Sequence, residues 1–425
     1  MTRAILTINA GSSSVKFSAY ALPEPGSGGG YGSGAEPAEI GHGQVSGLGA
    51  GGTAARFEAF EPGPEGTVRV ADTALAAGAT DQRGALSAIL DWLPGHVHGA
   101  QVVAIGHRVV HGGRDFAAPL LLDPGKVDRL RTLVPLAPLH QPHNLAAVDA
   151  VAALYPALPQ VACFDTAFHR SQPERSRLFG LPYAWFEAGI ERYGFHGLSY
   201  EYVAGRLPEL LGREETGRAV VAHLGNGASL CGMVDGVSQA TSMGFTALDG
   251  LPMGTRCGQL DPGVLLYLMD SEGFDSRRLS DLLYRDSGLK GLSGGVSDMR
   301  ALLADDGAGA RRAVGYYVER VARGVAEMAA AIGGIDALVF TAGIGAHAAP
   351  VRAAVLQRLA FLGFRLDAAA NDRHGPRLTL PGDGPSAWAI DTDEERMIAR
   401  HTRDVIAGAA GRGELTPPQP RGLWR

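Results

Sequence analysis

Two segments of the chain share one design, and this repeat constrains the fold more than any other feature of the sequence. Residues 5–20 (ILTINAGSSSVKFSAY) and 220–236 (VVAHLGNGASLCGMVDG) each contain an apolar strand, a tight turn of Asn, Gly and Ser, and a strand that resumes at once. Such a repeat predicts two similar halves with a cleft between them. The length of 425 residues also favours two domains.

Helical patterns alternate with apolar segments along the rest of the chain. Residues 310–332 place Val, Met and Ile at helical spacing, and Gly333 ends the pattern. Thr392 and Glu395 stand in capping-box register and predict the start of a last helix. Apolar segments between helical stretches predict strands at 101–105, 160–164 and 337–341. The predicted fold class is therefore α/β.

Charge and cysteine content exclude several classes of protein. A formal net charge of -6 argues against a general binder of nucleic acid or membrane surfaces. The three cysteines, Cys163, Cys231 and Cys257, form no disulfide framework or CxxC metal motif, which favours a reducing compartment. The apolar stretch at 4–8 is too short for a signal-peptide core, and no segment has the character of a membrane span. We therefore expect a cytoplasmic protein.

Two regions have a loop-like composition. Residues 21–70 are rich in Gly and Pro, and this predicts a flexible excursion between strands. The end of the chain contains a Pro-rich stretch at 417–420, for which we expect disorder or a surface loop.

Two turns have residues suited to a phosphate group. In NAGSSSVK (residues 9–16), Gly11 allows close backbone approach, while the serines and Lys16 offer donors and a positive charge. This segment is not a Walker A loop, and a serine-rich hairpin without a ligand is an equal alternative. In FTAGIGAHA (340–348), a strand leads into a Gly-Ile-Gly turn, with a helix expected near Pro350.

Two arginines are candidate anion-binding residues, Arg108 just past a buried strand and Arg256 in a glycine-rich loop. Arg108 belongs to GHRVVHGG and Arg256 to RCGQLDP. A planar guanidinium binds carboxylate or phosphate oxygens through two parallel hydrogen bonds, so the pair suits a site that holds both anions. A surface salt bridge is the alternative for either one.

Histidines and acids complete the candidate residues. The histidines near glycines or strand ends match no zinc motif; they are His107, His111, His140, His196 and His223. An imidazole aimed at a developing phosphoryl charge is the functional hypothesis, and a structural role is the alternative, favoured for His107 and His111. Asp165 follows a strand and is placed to hold Mg²⁺, whereas Glu394 opens a helix and is free for the ion if Glu395 caps that helix.

Ten sequence blocks occur in the order found in one family. They are NAGSSSVKF, GHRVVHGG, LAPLHQP, FDTAFH, RYGFHG, HLGNGASL, TSMGFT, MGTRCG, FTAGIG and DEERMIAR. From about residue 4 to residue 403 the chain resembles the acetate kinases. The resemblance implies two duplicated actin/hexokinase-like (ribonuclease H-like) domains, 1–165 plus 393–425 and 166–392, the second binding the nucleotide. It also implies a homodimer.

The resemblance further implies a role for each matching residue. Catalysis would depend on Arg108, Arg256, His196 and Asp165. Asn9 and Glu394, together with Asp165, would bind Mg²⁺, for which Mn²⁺ could substitute. The acyl group would bind at Arg108, Val110, Leu139, Phe195 and Ala247. ATP, as co-substrate, would contact Lys16, Ser12, His140, His223, Asn226, Gly227, Asp298, Arg300, Gly343, Ile344, Gly345, Ala346 and His347.

The implied reaction transfers the γ-phosphoryl group of ATP to acetate and forms acetyl phosphate and ADP reversibly. The acceptor is already ionised at pH 7, so no general base is needed, and two anions must be held in line while their charge is neutralised. A propionate or short-chain fatty-acid kinase and a non-kinase ATPase on the same fold are the alternatives. The intact set of arginine, histidine and lysine speaks against the ATPase.

Four blocks depart from the usual family pattern. GIGEN is here GIGAH, which affects the expected adenosine contacts; GDIDP is GQLDP; and GTSH is GLSY, residues 197–200. TPLEG is TALDG, so Ala247 replaces a proline of the implied acyl pocket. The lost ring volume predicts a slightly roomier pocket in which propionate competes better than usual.

Overall fold

The computed structural model describes residues 2–11, 13–22, 36–48, 55–63, 65–75, 81–213 and 216–412. The strands are β1 (Arg3–Ala10), β2 (Ser14–Ala21), β3 (Ala38–Ser46), β4 (Arg56–Gly63), β5 (Gly66–Ala74), β6 (Gln101–Val109), β7 (Leu120–Leu121), β8 (Gln160–Phe164), β9 (Arg218–Leu224), β10 (Ala228–Val234), β11 (Val237–Thr241), β12 (Ala337–Thr341) and β13 (Ser386–Ala389).

The α-helices are α1 (Gln82–Trp92), α2 (Pro124–Arg131), α3 (Gln141–Leu154), α4 (Glu174–Arg177), α5 (Tyr183–Glu187), α6 (Gly197–Leu211), α7 (Pro262–Asp270), α8 (Ser276–Arg285), α9 (Gly288–Ser293), α10 (Met299–Leu303), α11 (Ala308–Ala331), α12 (Ala342–His347), α13 (Ala349–Arg358), α14 (Ala368–Asp372) and α15 (Glu394–Gly411). No helix in the described part of the chain combines the length and the apolar character that a bilayer span requires.

Internal contacts divide the chain into two compact units. The first unit comprises Met1–Ala167 and Asp393–Arg425, and the second comprises Phe168–Thr392. The first unit has a sheet of order β5-β4-β3-β2-β1-β6-β8-β7, and the second has a sheet of order β11-β10-β9-β12-β13.

The same five-strand arrangement occurs in both sheets. In the first unit β1, β2 and β3 form an antiparallel meander, β6 runs parallel to β1, and β8 runs parallel to β6. In the second unit β9, β10 and β11 form the meander, β12 runs parallel to β9, and β13 runs parallel to β12. The two repeated sequence segments are β1–β2 and β9–β10. The predicted α/β class and the duplication are therefore confirmed.

Helices cover the first sheet where it carries parallel strands. Helix α3 contacts β1 and β6, and α15 contacts β1, β6 and β8. All five residues of β8 are buried, which is the pattern of a parallel strand covered on both faces. Gly106 of β6 lies directly under α15, because an added Cβ would stand 2.2 Å from Oγ1 of Thr402 and 2.5 Å from Cγ2 of Ile398. A glycine therefore sets how closely this helix approaches the sheet.

The long helix of the second unit follows its predicted apolar pattern. Helix α11 covers Ala308–Ala331 and buries Val318, Val321, Val325 and Met328. Burial of side chains of this size contributes about 1.5–3 kcal/mol each. Helices α7 and α10 begin at the N-caps Asp261 and Asp298, whose carboxylates accept backbone N–H groups.

The prediction of a flexible excursion over residues 21–70 was wrong for its described part. Strands β3, β4 and β5 extend the first sheet through this region. The ring of Phe57 stacks on Phe17 at 5.9 Å, and an added Cβ on Gly43 would stand 2.7 Å from the Phe17 ring. Glycine here allows close strand packing, so the composition indicated a loop where the chain forms a sheet. Residues 23–35, 49–54 and 64, like the stretch at 417–420, lie outside the described residues.

Two further local predictions were wrong, namely the capping residue of the last helix and the turn after β12. Helix α15 is capped by Asp393, whose side chain accepts from the backbone N–H of Arg396, and not by Thr392. The carboxylate of Asp393 takes the capping role one residue later than the pattern suggested. The segment expected to be a turn after β12 is helical from Ala342 to His347, although a separate helix, α13, does begin at Ala349.

Candidate active site

Three predicted residues meet where parallel strands of the first sheet end. Asn9 is near the end of β1, and Asp165 comes directly after β8. Arg108 lies within β6 and not past it as predicted, because the strand continues to Val109. The Arg108 guanidinium donates from Nε to Oδ1 of Asp165 at 2.9 Å and from Nη2 to Oδ2 at 2.6 Å. Its Nη1 donates to Oδ1 of Asn9 at 3.2 Å. These bonds fix the plane of the guanidinium, because two parallel bonds to a carboxylate allow one orientation.

Glu394 joins this group from the first turn of α15. Its Oε2 lies 3.8 Å from Nε of Arg108. The pKa of Glu394 is raised to about 7, chiefly by burial; the charges of Asp165 and Glu395 also raise it, whereas Arg108 and Lys16 lower it. Carboxylates therefore outnumber cations here, and a further positive charge would favour the ionised form of Glu394.

The donors in this cluster fit a hard divalent cation. Asn9, Asp165 and Glu394 present amide and carboxylate oxygens, the ligands that Mg²⁺ prefers. Across the described residues, no three His, Cys, Asp or Glu side chains come together as a metal-holding group. Two carboxylates and one amide leave positions for water or phosphate oxygens, which is typical of Mg²⁺ sites.

The β1–β2 turn carries the lysine of the serine-rich motif. Lys16 pairs across the strands with Asn9 and is exposed. The turn is closed by a hydrogen bond from the backbone N–H of Gly11 to the carbonyl of Ser14 at 2.8 Å. Ser12, predicted to bind phosphate, lies outside the described residues.

A buried amide that sequence reasoning missed connects this edge of the sheet to α3. Asn144 is 3% exposed; it donates to the carbonyl of Ala10 at 2.7 Å and accepts from the backbone N–H of Val110 at 3.0 Å. The signal was present, because an amide among the apolar residues of a helix needs buried partners. The predicted residues Leu139 and His140 are half-buried and immediately precede α3.

In the second unit, His196 lies at the start of α6 beside a second histidine. Its backbone is left-handed (φ 58°, ψ 26°), and its Nδ1 is 2.8 Å from Oγ of Ser229. The ring stacks on His223 with centroids 4.2 Å apart, and Nδ1 of His223 is 2.8 Å from Oγ of Ser199.

Arg256 and His196 both reach the space over Gly227. An ideal Cβ on Gly227 would lie 3.0 Å from Nε2 of His196 and 3.5 Å from Nη2 of Arg256. Nη1 of Arg256 donates to the carbonyl of Ala247 at 2.7 Å. The structure thus brings five predicted residues of this unit together, which are His196, His223, Gly227, Ala247 and Arg256. Of the others, Asn226 is exposed and Phe195 is buried, its carbonyl 2.9 Å from Nε2 of His169.

The predicted adenosine-binding residues lie on two short helices. Asp298 caps α10 and binds Arg300, whose side chain is 92% exposed; this bond and those from the helix backbone lower the pKa of Asp298 to about 2. Gly343, Ile344, Gly345, Ala346 and His347 form α12. Sequence reasoning missed the fully buried Arg352, which donates to the carbonyls of Gly345 at 2.9 Å and Ala346 at 2.6 Å.

The two histidines for which a structural role was favoured are both buried. His107 is 1% exposed, with Nε2 2.8 Å from Oε1 of Gln160, and burial lowers its pKa to about 4. Nδ1 of His111 accepts from the backbone N–H of Gly113 at 2.9 Å.

Comparison with known proteins identifies the family of this chain. The profile of the Acetokinase family matches residues 4–400. An acetate kinase of Rhodopseudomonas palustris is 48% identical over 96% of this chain and 100% of its own length. An acetate kinase of Methylocella silvestris is 45% identical over 96% of this chain and 98% of its own.

Solved structures give the class of fold. A propionate kinase of Francisella tularensis matches with a TM-score of 0.83 and 33% identity over 95% of this chain and 100% of its own. An acetate kinase of Porphyromonas gingivalis matches with a TM-score of 0.80 and 34% identity over 95% and 99%. The duplicated α/β units are those of the actin/hexokinase-like class. Within that class, the chain belongs to the acetokinase family.

Proposed function

We propose that this chain catalyses the reversible transfer of the γ-phosphoryl group of ATP to the carboxylate of acetate, forming acetyl phosphate and ADP. The observation that carries this proposal is the 48% identity to an acetate kinase over 96% of the chain. The cluster of Arg108, Asp165, Asn9 and Glu394 supports it, because an oriented guanidinium beside oxygen donors suits phosphoryl transfer.

The two arginines and the histidine neutralise charge in this proposal. Arg108 and Arg256 bind the carboxylate and the transferring phosphoryl group, and His196 stabilises its equatorial oxygens. Asp165 holds Arg108 in one orientation and positions the acetate. The acceptor carboxylate is ionised at pH 7, so the residues orient two anions and no proton has to be removed.

Mg²⁺ is the proposed metal, with Mn²⁺ as a substitute. Asn9, Glu394 and Asp165 would hold it, because their amide and carboxylate oxygens lie together around Arg108. When bound, the ion neutralises charge on the phosphates of the nucleotide.

The substrates take the remaining residues in two sets. The phosphates of ATP contact Lys16, Ser12, His140, His223, Asn226 and Gly227, and its adenosine contacts Asp298, Arg300 and α12. The acyl group contacts Val110, Leu139, Phe195 and Ala247. The domains predicted from the sequence, 1–165 plus 393–425 and 166–392, act as the two catalytic domains, and the second holds the nucleotide.

Propionate is the second candidate substrate. Two points favour it: the resemblance implies a bulkier proline at the position of Ala247, and one similar structure is a propionate kinase. One methylene in an acyl pocket is worth about 1–3 kcal/mol, so acetate and propionate would differ by a measurable ratio of kcat/KM. Undetectable propionate turnover would reject the roomier pocket.

We further propose that the chain works in the cytoplasm as a homodimer. An exposed apolar helix supports the dimer: on α7, Leu266 is 63% exposed, Tyr267 58% and Met269 48%. A second copy of the chain is the occupant that would bury these side chains.

The proposed activity is tested by trapping the acyl phosphate with hydroxylamine. Purified enzyme with acetate, ATP and Mg²⁺ is expected to yield acetyl hydroxamate and ADP in equal amounts. Loss of ATP without hydroxamate would instead indicate a non-kinase ATPase, and no turnover of any short-chain acid would contradict the proposal.

A further inference from the structure

A chain of buried hydroxyl groups lies behind the His196 imidazole. Nδ1 of His196 is 2.8 Å from Oγ of Ser229, and the same Oγ is 2.5 Å from Oη of Tyr200. Ser229 comes from β10, and Tyr200 lies on α6 one helical turn after His196. Both hydroxyl-bearing residues are completely buried. Three side chains from two elements therefore form one connected network.

The direction of these hydrogen bonds follows from the number of protons. Burial raises the pKa of Tyr200 well above its ordinary value, so the phenol keeps its proton. A buried O–H without an acceptor costs about 1–3 kcal/mol, and Ser229 is the recorded partner of Tyr200 among the described residues. Tyr200 therefore donates to Ser229.

The proton of Ser229 then determines the state of the histidine. Its hydroxyl has one proton, and with Tyr200 already donating to its oxygen, that proton is directed to Nδ1 of His196. An imidazole that accepts at Nδ1 carries its proton at Nε2 when it is neutral.

Nε2 of His196 lies near Gly227 and Arg256, where the proposed function places the negative charge of the transferring phosphoryl group. It lies 3.0 Å from an ideal Cβ position on Gly227, beside the Arg256 guanidinium, while His223 stacks on the ring. His223 is itself held through Nδ1 by Ser199 at 2.8 Å. An N–H at this position is a donor next to a fixed positive charge, which is the arrangement that stabilises a phosphoryl oxygen.

We propose that Tyr200 and Ser229 are positioning residues that hold His196 as its Nε2-protonated tautomer, so that Nε2–H donates to an oxygen of the transferring phosphoryl group. This inference rests on the proposed function.

The test combines histidine spectroscopy with kinetics on the full-length enzyme. Two variants, Tyr200→Phe and Ser229→Ala, break the network at different points, and Ser229→Thr keeps the hydroxyl. Tyr317→Phe is the matched control, because Tyr317 is another buried tyrosine of the same unit, and its hydroxyl has no recorded hydrogen-bond partner among the described residues.

The ¹⁵N shifts of the His196 ring, assigned by comparison with His196→Gln, report the tautomer directly. The wild type is expected to show a protonated Nε2 and an unprotonated Nδ1, and Tyr200→Phe and Ser229→Ala a mixture of tautomers. In both variants kcat is expected to fall about 10-fold to 100-fold, with KM for acetate and ATP changed less than about twofold. Ser229→Thr and Tyr317→Phe are expected to retain the wild-type tautomer and kcat.

A protonated Nδ1 in the wild type would overturn the inference, as would an unchanged tautomer and kcat in Tyr200→Phe. If one of Tyr200→Phe and Ser229→Ala fails to fold, the other still tests the inference, because each variant breaks the same chain of hydrogen bonds. Absence of acetyl phosphate formation by the wild type would contradict the proposed function, whereas the ring shifts would still report whether the network fixes the tautomer.

Discussion

Arg108 shows how one residue depends on its immediate neighbours. Burial lowers the pKa of its guanidinium, but the charges of Asp165 and Glu394 and the bonds to Asp165 outweigh this and raise it overall. The residue stays charged, and its orientation is set by Asp165 and Asn9. Buried pairs of this kind are costly to break, since the remaining charge loses its partner.

His107 gives a pH-dependent prediction at the same scale. Burial holds its pKa at about 4 in the folded protein, against about 6.5 in the unfolded chain. The unfolded state therefore binds more protons between these values, and stability falls as the pH drops from about 6.5 to about 4. The free energy of unfolding of the wild type therefore falls with the pH, and we expect His107→Gln to remove up to about 3 kcal/mol of that fall.

Urea unfolding of the wild type and of His107→Gln at pH 7 and pH 4.5 measures the effect. The difference in unfolding free energy between the two pH values is expected to be smaller for the variant. Equal pH dependence in the two proteins would show that this histidine is not the group responsible.

At the level of elements, the contact between α15 and β6 determines where Glu394 lies. Gly106→Ala would place a methyl group 2.2 Å from Oγ1 of Thr402, so the helix must move away from the sheet. We expect a loss of stability of about 1–3 kcal/mol and a fall in acetyl phosphate formation, because Glu394 moves with the helix.

Gly315→Ala is the control for this change. Gly315 lies within α11, where nothing stands within 4 Å of an added Cβ, so the substitution is expected to stabilise the protein by up to about 1 kcal/mol. Thermal unfolding and the hydroxamate assay on both variants check the pair. Full stability of Gly106→Ala would show that the close approach is not needed.

The elements also show what the sequence can and cannot predict. The β1–β2 and β9–β10 repeats and the apolar face of α11 were predictable, because local patterns determine them. Strands β3 to β5 were not predictable from the sequence. A glycine such as Gly43 is typical of a loop, and only the structure shows that the ring of Phe17 lies beside it. The place of Asp165 after a strand was predictable, whereas the bonds from His196 to Ser229 and from Ser229 to Tyr200 depend on packing between α6 and β10.

For the whole molecule, the exposed face of α7 gives a prediction about assembly. A charge at Leu266 would be buried against a second copy, so Leu266→Glu is expected to convert a dimer of twice 44.2 kDa into monomers. Phe361→Glu is the control, because Phe361 is 74% exposed but lies away from α7 in the chain. Light scattering after gel filtration measures both masses. A wild type that runs as a monomer would contradict the proposed dimer.

The central claim is that Arg108 and Arg256 bind the two anions of a phosphoryl transfer to acetate. The most direct measurement is the rate of acetyl phosphate formation by Arg108→Ala and Arg256→Ala, with Arg285→Ala, a surface arginine paired with Asp281, as the control. Each of the first two is expected to lose about 100-fold or more in turnover with an unchanged circular dichroism spectrum, while the control stays active. Near-normal turnover by a folded Arg256→Ala enzyme would contradict the claim.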